Sequence, residues 1–488
     1  MKKKIVFIIP PIEEKLWTFS NDLQYLGAAG LAALLLKDGH EVSVIDCAVD
    51  CRSVRELKKR LLALKPDIAA VPAIYGTLGN SYKIARAVKD SSGGLVVFGG
   101  LPATFSAERV LAECPQADIC VINEGEISMS ALAAGKPPAE IPGLAFRKDG
   151  KFFTTGPGLR VENLDELPLP ARHLFPAEKY HGISLYTATK QRSTNLETKR
   201  GCPFSCEFCL QAPKEGGRYR LRSPAKVIEE MIQIRRDFPF IARIMIVDND
   251  FLSPYTHGME IIDGILKNDL HKQFEFMIAT RVQSFLKGGD ELIAKFDAAN
   301  IRLVYFGMES VNKKNRDRLQ KIKEEYDPPA LFERMRAKGV HSVGSYIFGF
   351  ENEDESDMLE TVDASLHDSP SMVKYNILTP YPGTKFYDQY ASKGKLRAGV
   401  PLWHYDNSHQ TMDHTVDCRK FFRSAYRRFY FRPDLLTRIE WSTAFSRRKG
   451  VFLMTFAHHL VIRELLGFAR DAYRFVKFGI FKSEDFVG

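Results

Sequence analysis

The sequence predicts a tandem α/β fold: a doubly wound domain over residues 1–134, a connecting stretch over 135–189, a partial (β/α)6 barrel over 190–390, and a basic, aromatic helical region over 391–488. Three observations predict it. Short apolar runs alternate with amphipathic ones through the first 130 residues, proline-rich sequence interrupts that rhythm, and a second series of six strand and helix patterns follows. Alternation of this kind is the mark of parallel sheets with helices packed on them.

The first domain reads KIVFIIP, LGAAGLAALLLKDG, EVSVIDC, VRELKKRLLAL, IAAVPAI, SYKIARAVKD, LVVFGG, AERVLAEC and ICVINEGE in turn. Continuously apolar strands are those buried on both faces. The start, MKKKIVFIIPP, is basic like a signal peptide, but its apolar run is short and ends at Pro10 and Pro11, so it reads as a first strand. Gly27 and Gly30 are expected to let the first helix lie close on the sheet. Ligands of such sheets bind beyond the carboxyl ends of the strands. The loops there are Pro10–Leu16, Ala73–Gly79, Gly99–Thr104 and Asn123–Glu126. A Rossmann-like nicotinamide domain would use Asp46, at the end of the second strand, for a ribose. The first strand, however, runs into PPIEEKLW and lacks the glycine-rich turn that brings a helix N-terminus to a pyrophosphate.

Proline density in GKPPAEIPG and LDELPLPARHLFP disfavours helix and sheet interiors, so residues 135–189 read as an ordered linker with one hairpin near Lys148–Lys151. The second series runs TNLETKRG, ARIMIVDND, FEFMIATR, IRLVYFGMES, HSVGSYIFGF and VKYNILTPYPGT, with helices between. Barrel chemistry collects at the carboxyl ends of such strands, where this chain places its polar and cysteine residues.

Eight cysteines, only three of them closely spaced, are no disulfide framework and suit a reducing, cytoplasmic setting. The best membrane-span candidate, GVFLMTFAHHLVIRELLGFA from Gly450, is broken by His458, His459, Arg463 and Glu464. The net charge of +9 sits entirely in residues 418–488, which hold 15 Lys and Arg, 6 Asp and Glu and 16 aromatic residues. That tail suits an anionic lipid surface such as the inner face of a membrane, an acidic partner, a negatively charged substrate, or simply a solvated helical cap. No nucleic-acid partner is expected.

KRGCPFSCEFC places Cys202, Cys206 and Cys209 in CxxxCxxC spacing. Three thiolates on one loop can hold three irons of a cubane and leave the fourth open, and an open position is what separates catalytic metal sites from structural ones. Zinc would want a fourth ligand, and His181, the closest upstream histidine, lies on the far side of the strand. A redox CxxC at Cys206 and Cys209 would leave Cys202 idle. The other five cysteines read as buried small residues. Among them Cys418, beside Arg419 and Lys420, is the one candidate for a reactive catalytic thiol.

At these cysteines, with Phe208 before the last of them, the sequence resembles the radical S-adenosylmethionine (SAM) superfamily over roughly residues 190–390. The resemblance implies that the open iron of a 4Fe-4S cluster binds SAM and that an electron from the cluster, fed by a flavodoxin or ferredoxin, cleaves it to a 5'-deoxyadenosyl radical. It also assigns SAM contacts to Phe208, to Asp248, Asn249 and Asp250, to Arg281, to Glu309, and to Gly344 and Gly349 of GSYIFG.

The preceding domain resembles the cobalamin-binding arrangement of one branch of that superfamily, through VVFGGLPAT at 96–104 and INEGE at 122–126. It implies cobalamin contacts at Thr77, Gly99, Gly100, Glu124 and Gly125. The DxHxxG segment is absent, so cobalt is expected to lack a histidine ligand. The implied activity is methyl transfer from cobalamin to a carbon of a small or lipid-like hydrophobic substrate. Radical oxidation, cyclisation or rearrangement is the alternative, and a cobalamin sensor with a structural cluster is the non-enzyme reading. AYRRFYFRP at 425–433 and an amphipathic helix near 451–478 resemble tails of lipid- and pigment-modifying members, with Arg427, Arg428 and Arg432 as anion contacts.

Overall fold

Six-residue apolar runs such as KIVFII can only be strands buried on both faces, and this is what a computed structural model of the chain contains. It describes residues 2–13, 23–51, 53–183, 190–312 and 326–430, with 315 and 319. Strands β1 (Lys4–Ile9), β2 (Glu41–Asp46), β3 (Ile68–Pro72), β4 (Leu95–Gly99) and β5 (Ile119–Val121) pair in parallel in the order β2-β1-β3-β4-β5. The order reverses between β1 and β3, which opens a crevice at their carboxyl ends. Loops after these two strands are stitched together there: the Glu13 amide donates to the Gly76 carbonyl (2.8 Å) and the Asn80 amide group to the Pro11 carbonyl (3.1 Å).

The first helix, Leu26–Lys37, seats Ala28, Ala29, Ala32 and Ala33 on the sheet. Gly27 is exposed and Gly30 has no atom within 4 Å of a would-be Cβ. The close approach expected of these glycines is therefore made by alanines. Asp46 is buried, accepting from the Tyr180 hydroxyl (2.5 Å) and the Ala48 amide (2.8 Å), and is no ribose ligand.

The stretch expected as a linker does more than connect. Strands β6 (Leu144–Lys148) and β7 (Lys151–Thr154) extend the first sheet as an antiparallel hairpin on β5, and β8 (His181–Ile183) adds an antiparallel strand to the second. Short edge strands tolerate the flanking prolines that sheet interiors do not.

The second sheet holds β9 (Lys190–Leu196), then, after a separate two-stranded ribbon of β10 (Lys199–Gly201) and β11 (Tyr219–Leu221), the strands β12 (Arg243–Ile246), β13 (Glu275–Thr280), β14 (Ile301–Glu309), β15 (His341–Phe348) and β16 (Met372–Ile377). Its order is β16-β15-β14-β13-β12-β9-β8, with the six strands from β9 to β16 parallel. This is the partial (β/α)6 barrel. TNLETKRG is not one strand, because the chain leaves the sheet after Leu196 and Lys199–Gly201 pairs with β11 instead.

The helix Cys418–Tyr430 buries Phe421, Phe422, Ala425, Tyr426 and Phe429 against the barrel. It covers the open edge of β16: the Tyr426 hydroxyl accepts from the Tyr375 amide (3.0 Å), and the Tyr430 hydroxyl accepts from the Val373 amide (3.1 Å) and donates to its carbonyl (3.1 Å). An edge strand left bare would be a template for aggregation. Arg428 pairs with Asp363 (2.6 Å), whereas Arg432 and the 451–478 helix lie outside the described residues. Among the described residues no helix is long and apolar enough to cross a membrane.

Candidate active site

The carboxyl ends of the two sheets meet. Tyr75, from the loop after β3, packs against Tyr381 and Tyr405 beyond β16, with ring centroids 5.2 and 6.1 Å apart. Phe105 fills the space beside Gly383, whose φ of +89 favours glycine and where a Cβ would overlap that ring. Any ligand of either sheet thus lies near the junction.

Gly201 turns β10 into the cysteine loop with φ +96, a conformation that favours glycine. Cys202, Cys206 and Cys209 are half-buried and in no disulfide, and the Cys209 amide donates to the Cys206 carbonyl at 3.1 Å, closing residues 206–209 into one turn. Burial pushes the Cys202 thiol up, partly offset by a backbone hydrogen bond from Phe204. Among the described residues no three His, Cys, Asp or Glu side chains are grouped to hold a single metal ion. A tetrahedral zinc draws its thiolates to about 3.8 Å from one another. The donor set, three thiols on one short loop, suits the larger cubane instead. Phe208 points into the core beside Phe386 (6.4 Å) and anchors the loop.

Strand ends β12 to β14 close around this loop. Asp248 is buried and accepts from the Thr198 amide (2.9 Å) and hydroxyl. Asp250 accepts from Thr280 (2.7 Å), Ser284 (2.9 Å) and the Arg281 amide (3.3 Å). Both carboxylates therefore shape the loops from inside, while Asn249 between them is exposed. The Arg281 guanidinium stacks 3.6 Å over Phe204 of the cysteine loop. Glu309 ends β14 at φ +64, beside a register shift against β15. Such backbone outliers cluster at functional sites. Gly349 follows β15 with φ +86, and its amide donates to Glu353 (2.7 Å).

Gly344 is placed elsewhere. It sits inside β15, where a Cβ would meet the Tyr346 ring at 2.8 Å and Pro370 at 3.2 Å, so it serves packing rather than the rim. Cys418 is also corrected: it is 1% exposed, burial pushes its thiol up to about 12, and its sulfur lies 3.2 Å from a would-be Cβ of Gly349. Arg419 and Lys420 beside it in sequence do not activate it, and it is a packing residue without catalytic access.

In the first domain Gly99 ends β4 with open space at its Cβ position, and Gly100 has φ +98 with its Cβ position overlapping the Ala73 carbonyl. Gly99 thus leaves a cradle open at the strand end, and Gly100 is required by the packing of its own backbone on Ala73. Thr77 is turned inward, its hydroxyl donating to the Ile74 carbonyl (3.0 Å). Gly125 faces Leu31 at 3.2 Å, a helix contact. Glu124 is 6% exposed and pairs with Arg220 and, at 3.6 Å, with Arg200, which also reaches Glu126 at 2.7 Å. Thr77, Glu124 and Gly125 are thus occupied by protein partners.

Two family matches bear on this geometry. Residues 196–364 match the Radical SAM superfamily and residues 16–133 the B12 binding domain. The chain carries a radical SAM domain preceded by a B12-binding domain. It is similar to an uncharacterized methyltransferase of Pyrococcus horikoshii, 28% identical over 89% of this chain and 94% of that one. An anaerobic magnesium-protoporphyrin IX monomethyl ester cyclase of Rubrivivax gelatinosus is 26% identical over 75% of this chain and 66% of its own length. The cobalamin-dependent radical SAM enzyme OxsB, solved with aqua-cobalamin and SAM, shares the fold with a TM-score of 0.68 and 16% identity over 94% of this chain and 71% of that chain. As a radical SAM enzyme the chain uses a 4Fe-4S cluster, SAM and cobalamin, together with a small-molecule substrate and an external reductant.

The radical SAM barrel also presents residues that motif reading passed over. His404 and His409 stack with ring centroids 4.0 Å apart, and His409 Nδ1 lies 3.0 Å from Asp406. Asp406 between them lies 3.7 Å from a would-be Cβ of Gly76 in the cobalamin domain, and the stretch joins the end of β16, where the Ile377 amide donates to the Asn407 carbonyl (2.8 Å). Their stretch, WHYDNSHQ, follows the last strand and carries no periodicity to mark it. Arg200 and Arg220 were hidden for a different reason, since their acid partners lie in the other domain.

Proposed function

We propose that this radical SAM enzyme C-methylates a hydrophobic substrate held at the junction of its two domains. The observation that carries the reading is the short route between the cofactor loops. Glu124 and Glu126, just after β5 on the strand's carboxyl side and next to the strand that ends at Gly99, pair directly with Arg220 and Arg200 of the ribbon from which the cysteine loop springs. The cluster supplies the electron that cleaves SAM, and cobalamin carries the methyl group. Around them Cys202, Cys206 and Cys209 would hold the cluster, while Arg281 and Glu309 present a cation and an anion suited to the carboxylate and amino groups of SAM. Asp248 and Asp250 keep the intervening loops in shape. Gly99 and Gly100 would receive the cobalamin tail. Tyr75, Tyr381 and Tyr405 exclude water from the junction and offer an apolar wall. The methyltransferase name of the Pyrococcus relative and the large tetrapyrrole ester named for the Rubrivivax one support this choice of reaction and substrate class.

The test is anaerobic reconstitution with isotopically labelled methyl-SAM and a panel of apolar substrates. Label in the product, 5'-deoxyadenosine formation, and loss of both in Cys206→Ala are expected. Substrate consumed without label, in protein holding cobalamin, would overturn methyl transfer in favour of oxidation or cyclisation.

The basic tail is proposed as a membrane-surface contact that delivers such a substrate. Vesicles containing anionic lipid should retain the full chain and release a chain ending at residue 430, which keeps the helix Cys418–Tyr430; equal recovery of both in the soluble fraction would refute it.

A further inference from the structure

β10 carries an unusual residue immediately before the cysteine loop. Lys199 is 4% exposed, and a buried ammonium is costly unless all its hydrogens are satisfied. Its Nζ donates to the backbone carbonyls of Asp250, Phe251 (3.3 Å) and Ser253. Three acceptors match the three donors of an ammonium. The carboxylates that might cancel this charge at close range are committed elsewhere, Asp248 to Thr198 and Asp250 to Thr280, Ser284 and the Arg281 amide. Burial lowers the Lys199 pKa, and the opposing pulls come from Asp248, then Asp250, then Cys202, the residue three positions further along the chain.

We propose that Lys199 is a positioning residue for the iron-sulfur cluster: it pins the 250–253 loop to the base of the cysteine loop and fixes a positive charge three residues before Cys202, where β10 turns into that loop. This rests on the cluster reading of Cys202, Cys206 and Cys209. A fixed cation in a low-dielectric site stabilises the more negative, reduced state of a neighbouring cluster, since hydrogen bonding, net charge and solvent exposure set such potentials. The ribbon is suited to the role. It stands apart from the barrel sheet, and its ion pairs, the bonds from Thr198 to Asp248 and the Lys199 tripod fix its end over the strand termini.

The experiment is an EPR-monitored redox titration of the anaerobically reconstituted full chain, wild type against Lys199→Met and Lys199→Arg, with iron and sulfide counted in each. Lys199→Met should disfavour reduction about tenfold, which for a one-electron couple is a midpoint about 59 mV more negative. Lys199→Arg keeps the charge but its planar fork cannot reproduce the tripod. It should hold the wild-type midpoint while loosening the 250–253 loop, seen as faster amide exchange there. An unchanged midpoint in Lys199→Met with full iron content would overturn the proposal, as would equal shifts in Met and Arg variants. If Lys199→Met does not load, Lys199→Gln and Lys199→Arg decide by the same comparison of midpoints. Wild-type protein that takes up no iron and sulfide would instead refute the cluster reading.

Discussion

Glu124→Gln is the sharpest single perturbation of the domain junction. The carboxylate is 6% exposed and bonded to Arg220 through both oxygens, one contact at 3.0 Å, and it also accepts from the Val161 amide at 3.3 Å. Glutamine keeps the shape but turns an NH2 group toward a guanidinium that has only donors. Arg200 is spared, because Glu126 at 2.7 Å and Glu197 at 2.8 Å still hold it. The loss falls on Arg220, which retains the Val161 carbonyl at 2.5 Å. Removing one partner of a buried pair costs about 3–5 kcal/mol, and that remaining contact places this case near 3. Because the chain has more than one domain, a global melting temperature is the wrong measure. Amide exchange over residues 122–126, 199–201 and 219–221 reads the local opening directly, and about 3 kcal/mol should raise it by about two orders of magnitude. Protection unchanged in those segments would refute the clasp. The pH dependence gives a second check. Burial by itself would raise the Glu124 pKa, but Arg220 and then Arg200 outweigh it, leaving the value below the ordinary 4.5. A depressed acid contributes stability that is complete above its unfolded pKa and lost as pH falls through the folded one. The wild-type clasp should therefore weaken only below about pH 4.5, and Glu124→Gln should abolish that acid-side component.

Gly99→Ala meets open space and should fold normally while retaining less cobalamin on gel filtration, whereas Gly100→Ala, at φ +98 against the Ala73 carbonyl, should lose about 1–3 kcal/mol from strain alone. A Gly100→Ala protein as stable as the parent to urea would contradict the cradle geometry. Cys418, its thiol protonated well past neutrality, should escape iodoacetamide in the native chain at pH 8 and react only after denaturation, and peptide mapping would expose any native labelling. Tyr426→Phe removes the group that satisfies the backbone of Tyr375 and should cost about 1–3 kcal/mol, read as a lowered denaturant midpoint of the barrel; no change would mean that the helix Cys418–Tyr430 is not what closes the edge.

What was legible in the sequence was whatever depends on local pattern. Six barrel strands and the parallel first sheet follow from continuous apolar runs, and the cysteine loop follows from spacing. Gly344 misled because GSYIFG resembles a rim motif, yet the register of β15 leaves it mid-strand against Tyr346. Cys418 misled because neighbouring arginine and lysine suggest an activated thiol, while the helix turns its sulfur into the core, leaves Lys420 exposed and half-buries Arg419. The ribbon of β10 and β11 was invisible for a third reason. Each strand has three residues, too few to show a period, and what holds them in place is a set of acids more than seventy residues upstream.

That ribbon changes how the two domains should be thought of. A cluster loop attached to β9 alone would be positioned by the barrel, and the cobalamin domain would be free to drift at the end of a proline-rich connection. Instead β10 and β11 are held on one side by Lys199 and the 250–253 carbonyls, and on the other by Glu124 and Glu126 of the first domain. Arg109 adds a bond from that domain to the Val400 carbonyl (2.7 Å) beyond the barrel. Buried pairs are screened by salt far less than exposed ones. The distance between the cofactor loops is then a property of the folded chain and not of ionic strength, so turnover should tolerate added salt until substrate binding itself fails. A radical reaction needs this, because a reactive carbon must meet its methyl donor before water or protein does.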